Sequence, residues 1–348
     1  MRSAGIVGLG MAVPQRVLTN ADLEKMVDTS DQWILERTGI RERRVAGEDE
    51  TSSTLGAAAG REALESAGLD PLEVDLIVCA TTSPDMLFPS TACLVQHQLG
   101  CVRAAAFDLS AACSGFAYGL AVTSQLVASG AFRNALLVGV DVLTKFLDWT
   151  DRSTCVLFGD GAGAVVLAPV ESGRGLLGFD LGADGSGADL LTIPGGAGKH
   201  PISEESLREK LRYIRMDGQQ VFRFAVRVMG ESAARAVEKC GLTPDDVDWF
   251  VPHQANIRII DSATRRLGID PARVYVNVDR YGNTSAASIP IALYEAYHSG
   301  CLKEDDTVVT VGFGAGLTWA SCVLVWTMPA AGRQNPQSAA PAEGVGAR

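Results

Sequence analysis

Residues 108–119, DLSAACSGFAYG, place one cysteine where an apolar strand gives way to a helix rich in small residues. The next segment, residues 114–129, lacks proline and carries apolar side chains on every face, which is typical of a buried helix that ends at Gly130. Cys113 is therefore a candidate nucleophile, because the N-terminal end of a helix favours thiolate over thiol and can lower a cysteine pKa to about 3.5–7.5. The alternative is a small core residue, since free cysteines are often buried.

The composition of the 348 residues is that of a globular chain, with 47% hydrophobic and 20% charged residues. A chain of this length allows two domains or one large α/β body. The formal net charge of −11 argues against a general nucleic-acid binder. No run of about 18 uncharged apolar residues predicts a membrane span.

Cysteine and histidine usage predicts neither disulfides nor a metal centre. The eight cysteines form no C-x-x-C pair and lie mostly in apolar runs, as the reduced thiols of a cytoplasmic protein do. The four histidines form no H-E-x-x-H motif. The segment MRSAGIVGLGMAVP is interrupted by glycines and closed by a proline, so it predicts a first strand rather than a signal peptide.

An internal repeat organises the whole chain. GLDPLEVDLIVCA, which starts at Gly68, matches GLTPDDVDWFVPH, which starts at Gly241, at an offset of 173 residues, and two shorter matches lie at offsets of 168 and 170 residues. Strands alternate with helices in both copies, which indicates parallel sheets covered on both faces. We therefore expect two similar α/β halves, residues 1–172 and 173–328, related by a pseudo-two-fold axis and meeting along their buried helices.

The register of the repeat predicts which side chains share a pocket. Cys113 and Asn283 each stand 17 residues before the glycine that closes the following helix, so Asn283 is expected at the second half's version of the nucleophile position. His253 directly follows the repeated strand. Equivalent positions converge near a pseudo-two-fold axis, so all three side chains are expected in one pocket. Taken singly, His253 also fits a structural histidine and Asn283 a turn residue.

Two glycine-rich segments have different predicted roles. FGDGAGAVVL, which starts at Phe158, lacks the spacings of phosphate-binding loops and predicts a tight turn followed by a strand. VGFGAGLTW, which starts at Val311, lies between two strands, and its glycines allow close backbone approach of the kind that supplies an oxyanion-hole N–H. The Gly-rich linker 182–200 is expected at the surface, and the tail 329–348 is expected to be disordered.

Five longer motifs connect these observations: DQWILERTGIRERR at Asp31, DLSAACSGF at Asp108, DRSTCVLFGDGAGAVVL at Asp151, VPHQANIRII at Val251 and GNTSAAS at Gly282. With them the chain resembles β-ketoacyl-acyl-carrier-protein synthase III, the initiating condensing enzyme of bacterial fatty-acid synthesis. The likeness runs from about Gly5 to Trp326. It implies a thiolase-like α/β fold, two halves layered α-β-α-β-α.

The resemblance also implies roles for single residues. The family's catalytic cysteine, histidine and asparagine fall on Cys113, His253 and Asn283, and the oxyanion-hole N–H groups fall on Cys113 and Ala315, where relatives often have glycine. The family's coenzyme A site falls on Thr29, Trp33, Arg37, Arg152, Gly218, Phe222, Ala255 and Asn256. Its patch for the acyl carrier protein falls on Arg223, Arg258, Arg265 and Arg266, for which an arginine-rich solvated face is the alternative.

Phe88 lies in the apolar run SPDMLFPST, just after a predicted strand. In the resembling family this segment crosses a homodimer interface, and the residue that falls on Phe88 reaches the acyl pocket of the other subunit. The resemblance therefore implies a homodimer with a pocket for a short acyl chain. The alternative is a loop anchored in the protein's own core.

These observations predict a cytoplasmic acyltransferase that joins a short acyl-CoA, most simply acetyl-CoA, to malonyl-acyl carrier protein by a decarboxylating Claisen condensation. No metal or other cofactor is expected, because coenzyme A thioester is a substrate and decarboxylation produces the carbanion. Three alternatives stay open: a secondary-metabolism relative that uses a longer acyl-CoA or another acceptor, a papain-like Cys-His-Asn hydrolase, and a catalytically silent partner subunit.

Overall fold

The structure is a computed structural model that describes residues 3–330. The predicted tail therefore lies outside the described residues from position 331 onward. The strands are β1 (Ser3–Ala12), β2 (Val17–Thr19), β3 (Glu42–Arg44), β4 (Leu76–Ala80), β5 (Ala105–Leu109), β6 (Ala135–Asp141), β7 (Gly161–Val170), β8 (Gly175–Ala183), β9 (Leu191–Thr192), β10 (Arg215–Met216), β11 (Trp249–Pro252), β12 (Thr307–Gly314) and β13 (Thr318–Val325).

Several helices begin at side-chain caps that the sequence marks clearly, such as Thr51 before α3 and Asn256 before α8, whereas the central helices α5 and α10 have no side-chain cap. They are α1 (Asn20–Leu23), α2 (Asp31–Thr38), α3 (Ser52–Ala67), α4 (Thr91–Leu99), α5 (Gly115–Ala128), α6 (Glu204–Arg208), α7 (Gly218–Lys239), α8 (Ile257–Leu267), α9 (Val278–Tyr281) and α10 (Ser288–His298). None of the helices among residues 3–330 has the length and apolar character needed to cross a membrane.

Two mixed sheets repeat one strand order. The first sheet runs β1-β7-β6-β4-β5, and the second runs β8-β13-β12-β11, which is the same order without the last strand. Only β4 with its neighbours β5 and β6, and β11 with β12, pair in parallel; the other ladders are antiparallel. The prediction of wholly parallel sheets is therefore wrong, because β6–β7 and β12–β13 follow each other without a covering crossover helix between them.

Helices and sheets alternate in five layers. One apolar core lies between the two sheets and includes Phe116 and Leu120 of α5 together with Ile289 and Leu293 of α10. A second core lies between the first sheet and α3 and α4, and a third lies between the second sheet and α7 and α8. The order α-β-α-β-α expected from the resemblance is confirmed, with α5 and α10 as the central layer.

The central helices approach the strands closely because they carry small residues. A Cβ atom on Gly119 of α5 would lie 2.6 Å from Leu137 Cδ1 of β6, and one on Gly139 of β6 would lie 2.5 Å from the Ala286 carbonyl oxygen. Larger residues at either position would separate the layers. Glycines thus bring the turns that precede α5 and α10 against the sheets, where the candidate site lies.

Candidate active site

Cys113 lies in a 3-10 turn, Ala112–Ser114, which joins β5 to α5. Its side chain is buried, and its Sγ accepts a hydrogen bond from Ser285 Oγ at 3.2 Å. Burial raises the pKa of the Cys113 thiol to about 12. This direction is opposite to the predicted lowering of the pKa, because loss of solvation disfavours the charged thiolate, and α5 itself begins only two residues later at Gly115.

His253 directly follows β11 and is completely buried. Its backbone N–H donates to the Val311 carbonyl at 2.7 Å, and its Nδ1 lies 2.5 Å from Ser288 Oγ. Its Nε2 is buried and has no hydrogen-bond partner within residues 3–330. Burial lowers the pKa of His253 to about 3, so the imidazole is neutral at physiological pH. In the tautomer in which Nδ1 accepts from the Ser288 hydroxyl, the ring proton is on Nε2, and Nε2 is then a neutral donor.

Asn283 is held by its backbone between two segments of the chain. Its N–H donates to the Leu157 carbonyl at 2.9 Å, and its carbonyl accepts from Gly159 N–H at 3.0 Å. Its side-chain Oδ1 accepts from the Ser285 N–H at 2.9 Å. Because Oδ1 is engaged in this way, the amide is oriented, and Nδ2 is the group left to donate to a ligand.

The structural repeat places Asn283 differently from the sequence register. The 3-10 turn Ser285–Ala287 precedes α10 just as Ala112–Ser114 precedes α5, so Cys113 corresponds to Ala286 rather than to Asn283. The prediction of equivalence is wrong because α10 has 11 residues and α5 has 14, which shifts any count made from the helix C-termini. Asn283 nevertheless lies beside the nucleophile, since it caps the residue that contacts Cys113 Sγ.

The glycine-rich end of β12 packs directly on the Cys113 turn. A Cβ atom on Gly314 would lie 2.6 Å from the Cys113 backbone nitrogen, so only glycine permits this approach. The next residue, Ala315, lines the same cavity as Cys113. Among the turns, loops and caps of residues 3–330, neither the Cys113 nor the Ala315 N–H donates to a backbone carbonyl, so both N–H groups can serve a ligand oxygen.

A cavity of about 250 Å³ opens at Cys113. This volume lies below the ~300–1,000 Å³ of pockets that hold drug-sized ligands. The segment 191–193 forms part of the wall, so this portion of the Gly-rich linker is not the surface loop that the sequence predicts. The lining residues are Thr82, Ala112, Cys113, Leu143, Phe158, Leu191, Thr192, Ile193, Ile214, Ser285 and Ala315. His253 and Asn283 adjoin the residues of this site through hydrogen bonds: His253 contacts Ser288, and Asn283 accepts from the N–H of Ser285, which lines the cavity.

Several of the residues expected at the coenzyme A site lie together at the surface. The guanidinium carbons of Arg37 and Arg152 lie 5.5 Å and 5.7 Å from the centre of the Trp33 ring. Asn256 Nδ2 donates to the Arg37 carbonyl at 2.9 Å, and Thr29 has a buried hydroxyl without a partner in the described range. The other expected residues are Ala255, which is buried, and Gly218 and Phe222, which lie on the first turns of α7.

The four arginines expected to bind the carrier protein are all exposed on α7 and α8, but one of them already forms an ion pair with a carboxylate of this chain. Arg266 forms an ion pair with Glu231 at 2.5 Å, and Arg258 stacks over the Phe222 ring at 5.1 Å. Arg223 and Arg265 form no ion pair within the described residues. Arg227, one turn after Arg223 on α7, is also exposed and was recognisable in the sequence by its spacing of four residues.

Matches to known proteins cover nearly the whole chain. A family model described as 3-oxoacyl-[acyl-carrier-protein (ACP)] synthase III matches residues 107–185, and the model of its C-terminal part matches residues 237–326. A β-ketoacyl-[acyl-carrier-protein] synthase III of Desulfitobacterium hafniense is 57% identical over 327 residues, which are 94% of this chain and 99% of the relative. One from Symbiobacterium thermophilum is also 57% identical, with the same coverage.

This chain belongs to the β-ketoacyl-acyl-carrier-protein synthase III family. The fold agrees with this assignment: the crystal structure of 3-oxoacyl-[acyl-carrier-protein] synthase III from Aquifex aeolicus VF5 superposes with a TM-score of 0.86 at 47% identity, over 93% of this chain and 100% of that one. A priming β-ketosynthase of the R1128 polyketide pathway has a TM-score of 0.87 at only 39% identity, over 94% and 97%. Sequence identity, rather than fold, therefore favours the fatty-acid enzymes over secondary-metabolism relatives.

In this synthase III chain, the loop after β4 extends away from the protein's own core. Phe88 is 84% exposed and Leu87 is 73% exposed, so the alternative of a loop anchored in its own core is wrong. The base of the loop is held by the buried carboxylate of Asp141, which accepts hydrogen bonds from the backbone N–H groups of Thr82 and Ser83. A firmly held loop thus presents an apolar tip to the outside.

Three further candidate functional residues were not predicted from the sequence. Ser285 contacts the nucleophile, Ser288 contacts His253, and Asp141 also accepts a hydrogen bond from the Ala286 N–H at 3.2 Å. Both serines lie inside the quoted GNTSAAS motif, so their hydroxyl groups were a visible signal. Asp141 ends a fully buried strand, and a carboxylate in such a run is itself unusual.

Proposed function

We propose that this synthase III performs a decarboxylating Claisen condensation of a short acyl-CoA, most simply acetyl-CoA, with malonyl-acyl carrier protein. The product is 3-oxoacyl-acyl carrier protein, and the reaction starts fatty-acid synthesis. The observation that carries the proposal is the buried cysteine in a small apolar cavity, flanked by two unengaged backbone N–H groups and backed by a neutral histidine. This set suits acyl transfer followed by carbanion chemistry.

In the first half-reaction the Cys113 sulfur attacks the acyl-CoA thioester. The Cys113 and Ala315 N–H groups hold the tetrahedral oxyanion, which is a task for preorganised backbone donors. The proton of the thiol leaves with coenzyme A. Both donors are main chain, so alanine at position 315 serves as well as glycine.

In the second half-reaction malonyl-acyl carrier protein loses CO₂ beside the acyl-cysteine. The enolate oxygen that forms accepts hydrogen bonds from His253 Nε2–H and Asn283 Nδ2–H. The enolate carbon bonds to the acyl carbon, the bond from Cys113 Sγ to that carbon breaks, and the released thiolate regains a proton from solvent. A neutral histidine suits this role because it donates without holding a charge in a dry site. Carbanion formation by decarboxylation requires no base, metal or other cofactor.

Coenzyme A is proposed to bind against Trp33, Arg37 and Arg152, where flat cationic groups flank an aromatic ring beside solvent. These groups suit an adenine ring and its phosphates. The carrier protein is proposed to dock on α7 and α8 through Arg223, Arg258 and Arg265. Because Arg266 is already paired with Glu231, it contributes less than the sequence suggests.

We also propose a homodimer. The exposed tip with Phe88 lies on the loop after β4, and the neighbouring β5 is the free edge of the first sheet, with Phe107 38% exposed. An apolar sheet edge next to an apolar loop needs covering in a stable protein. A second copy would cover both and place Phe88 at the partner's acyl cavity. A cytoplasmic location is proposed because all eight cysteines are free thiols.

The function is tested by incubating the protein with labelled acetyl-CoA and malonyl-acyl carrier protein. We expect release of CO₂ and a labelled 3-oxobutanoyl group on the carrier protein. A papain-like hydrolase would release acetate, and a silent subunit would leave both substrates unchanged. Either result would exclude the proposed condensation.

A further inference from the structure

Ser285 is the polar side chain in contact with the candidate nucleophile. Its Oγ donates to Cys113 Sγ at 3.2 Å, and this hydroxyl forms no other hydrogen bond within residues 3–330. Ser285 is 1% exposed and Cys113 is 6% exposed, so solvent does not compete strongly for this contact. Both residues line the cavity in which the acyl group would be transferred.

The backbone conformation of Ser285 does not itself require a hydroxyl group. Ser285 has a φ of +52°, in the left-handed region where glycine is preferred. The matching turn of the first half has Ala112 at a φ of +48°, so the strained shape belongs to the duplicated turn itself. Ala112 adopts this backbone conformation in the first half without a hydroxyl group. In the second half the same position carries Ser285, whose hydroxyl is directed at Cys113 Sγ.

We propose, on the basis of the proposed function, that Ser285 is a further catalytic residue whose hydroxyl donates to Cys113 Sγ whenever that sulfur carries negative charge. The charge develops twice. In acylation the S–H proton is lost, the Sγ–C bond forms, and the bond from carbon to the coenzyme A sulfur breaks, so that coenzyme A leaves and takes up the proton. In condensation the enolate carbon bonds to the acyl carbon, the Sγ–C bond breaks, and the departing thiolate regains a proton from solvent.

A hydroxyl suits both steps better than a charged group would. A hydrogen bond to a charged acceptor is stronger than one to a neutral acceptor. Ser285 therefore stabilises the thiolate more than the thiol or the neutral thioester, and it does so without placing a permanent charge in the apolar cavity. Burial opposes formation of this thiolate, and Ser285 is the side chain positioned to offset that cost.

The test measures the rate at which iodoacetamide alkylates Cys113 as a function of pH, with the Cys113 peptide quantified by mass spectrometry. The assay uses neither acyl-CoA nor carrier protein, so its result is independent of whether the proposed condensation takes place. Ser285→Ala should react about 10- to 100-fold more slowly than wild type at every pH from about 7 to 10, where the rate in both proteins rises with pH because the thiolate fraction rises. Ser124→Ala is the matched control, because Ser124 is a buried α5 serine without a hydrogen-bond partner in the described residues.

Ser285→Gly separates the hydroxyl from the backbone. Glycine relieves the strain at a positive φ, so this variant should fold at least as stably as Ser285→Ala in thermal unfolding. The proposal expects it to lose reactivity as Ser285→Ala does. Wild-type alkylation and an unchanged pH profile in Ser285→Gly would overturn the proposal, because the backbone alone would then explain any defect of Ser285→Ala.

Discussion

The two halves of the molecule use one backbone turn for different chemistry. Ala112–Ser114 and Ser285–Ala287 are both 3-10 turns, each begins with a residue at positive φ, and each leads into a buried central helix. The first turn carries the thiol, the second carries the Ser285 hydroxyl that contacts Cys113, and Ser288, which directly follows the second turn, contacts His253. The two halves thus share a repeated scaffold, and the proposed mechanism divides the reaction between a nucleophile turn, residues 112–114, and a segment that we name the donor turn, residues 283–288.

Removing the nucleophile should have the largest effect and should leave the donor turn intact. We expect Cys113→Ala to lose acyl transfer from acetyl-CoA by about 10⁴-fold or more. Some decarboxylation of malonyl-acyl carrier protein should persist, because His253 and Asn283 remain. Mass spectrometry should find the acetyl group of the wild type on Cys113 alone. Acetylation of another cysteine would contradict the assignment.

The reverse experiment removes the donors. His253→Ala and Asn283→Ala should each lower decarboxylation by about 10²–10³-fold, or about 2.7–4 kcal/mol, because each removes a hydrogen bond that strengthens as enolate charge develops. Acylation of Cys113 should largely survive. The measurement is the rate of CO₂ release beside the rate of cysteine acylation. A variant that decarboxylates at the wild-type rate would remove that residue from the donor pair.

The pH dependence of decarboxylation tests the state of the same histidine. An ordinary histidine would change charge near pH 6.5, but burial lowers the pKa of His253 to about 3. The imidazole therefore stays neutral as pH falls from about 8 to about 5, and it gains a proton only at lower pH. We expect a flat profile over that interval, measured in Cys113→Ala so that thiol ionisation does not contribute. A transition near pH 6.5 would contradict a neutral donor.

Ser288 sharpens the comparison, since it acts on His253 through Nδ1 rather than on the substrate. Ser288→Ala should lower the kcat of decarboxylation about tenfold with little change in KM, because alanine lacks the hydroxyl that keeps the histidine ring proton on Nε2. Ser288→Thr should restore most of the rate, as it keeps the hydroxyl. If threonine fails to restore activity while the protein folds normally, packing rather than hydrogen bonding explains the position.

Charge reversal at the carrier surface should affect only the donor half-reaction. We expect Arg265→Glu to raise KM for malonyl-acyl carrier protein about fivefold, roughly 1 kcal/mol, and to leave acetyl-CoA acylation unchanged. Raising the salt concentration should reduce the difference, because exposed charges are screened. Equal losses in both half-reactions would indicate a folding defect instead.

The smallest effect on activity is expected for a substitution at Phe88, which lies in neither the nucleophile turn nor the donor turn. Phe88→Thr should shift the preferred donor toward longer acyl-CoA, with each further methylene gaining up to about 0.8 kcal/mol, or about fourfold in kcat/KM. The measurement is kcat/KM for donors from about two to twelve carbons in both proteins. An unchanged profile, or a wild type that already prefers long chains, would exclude Phe88 as the end of the acyl cavity.

Local sequence signals predicted much of the scaffold but not its alignment. The buried helix after Cys113, the repeated strands and the glycines that approach the Cys113 turn were all readable from apolar patterns and residue size. The predicted equivalence of Cys113 and Asn283 was wrong, because it was counted back from the glycine that closes each helix. That count does not reveal that α10 is three residues shorter than α5.

Long-range features were not readable at all. The raised pKa of Cys113 depends on burial by distant parts of the chain, and the pairing of Arg266 depends on Glu231, which lies 35 residues earlier on another helix. The cavity wall formed by residues 191–193 depends on how a Gly-rich segment folds back over the site. No local pattern encodes contacts of this kind.

The shared central layer has a consequence for how the duplicated chain can be divided. The turn between β7 and β8 looks like a natural boundary, but α5 and α10 pack in one core drawn from both sheets. A polypeptide cut there would leave each fragment with an apolar helix face that only the other fragment can cover. The two copies of the repeat therefore form a single cooperative structure. Separating them by proteolysis or by splitting the gene should yield fragments that fold only when combined.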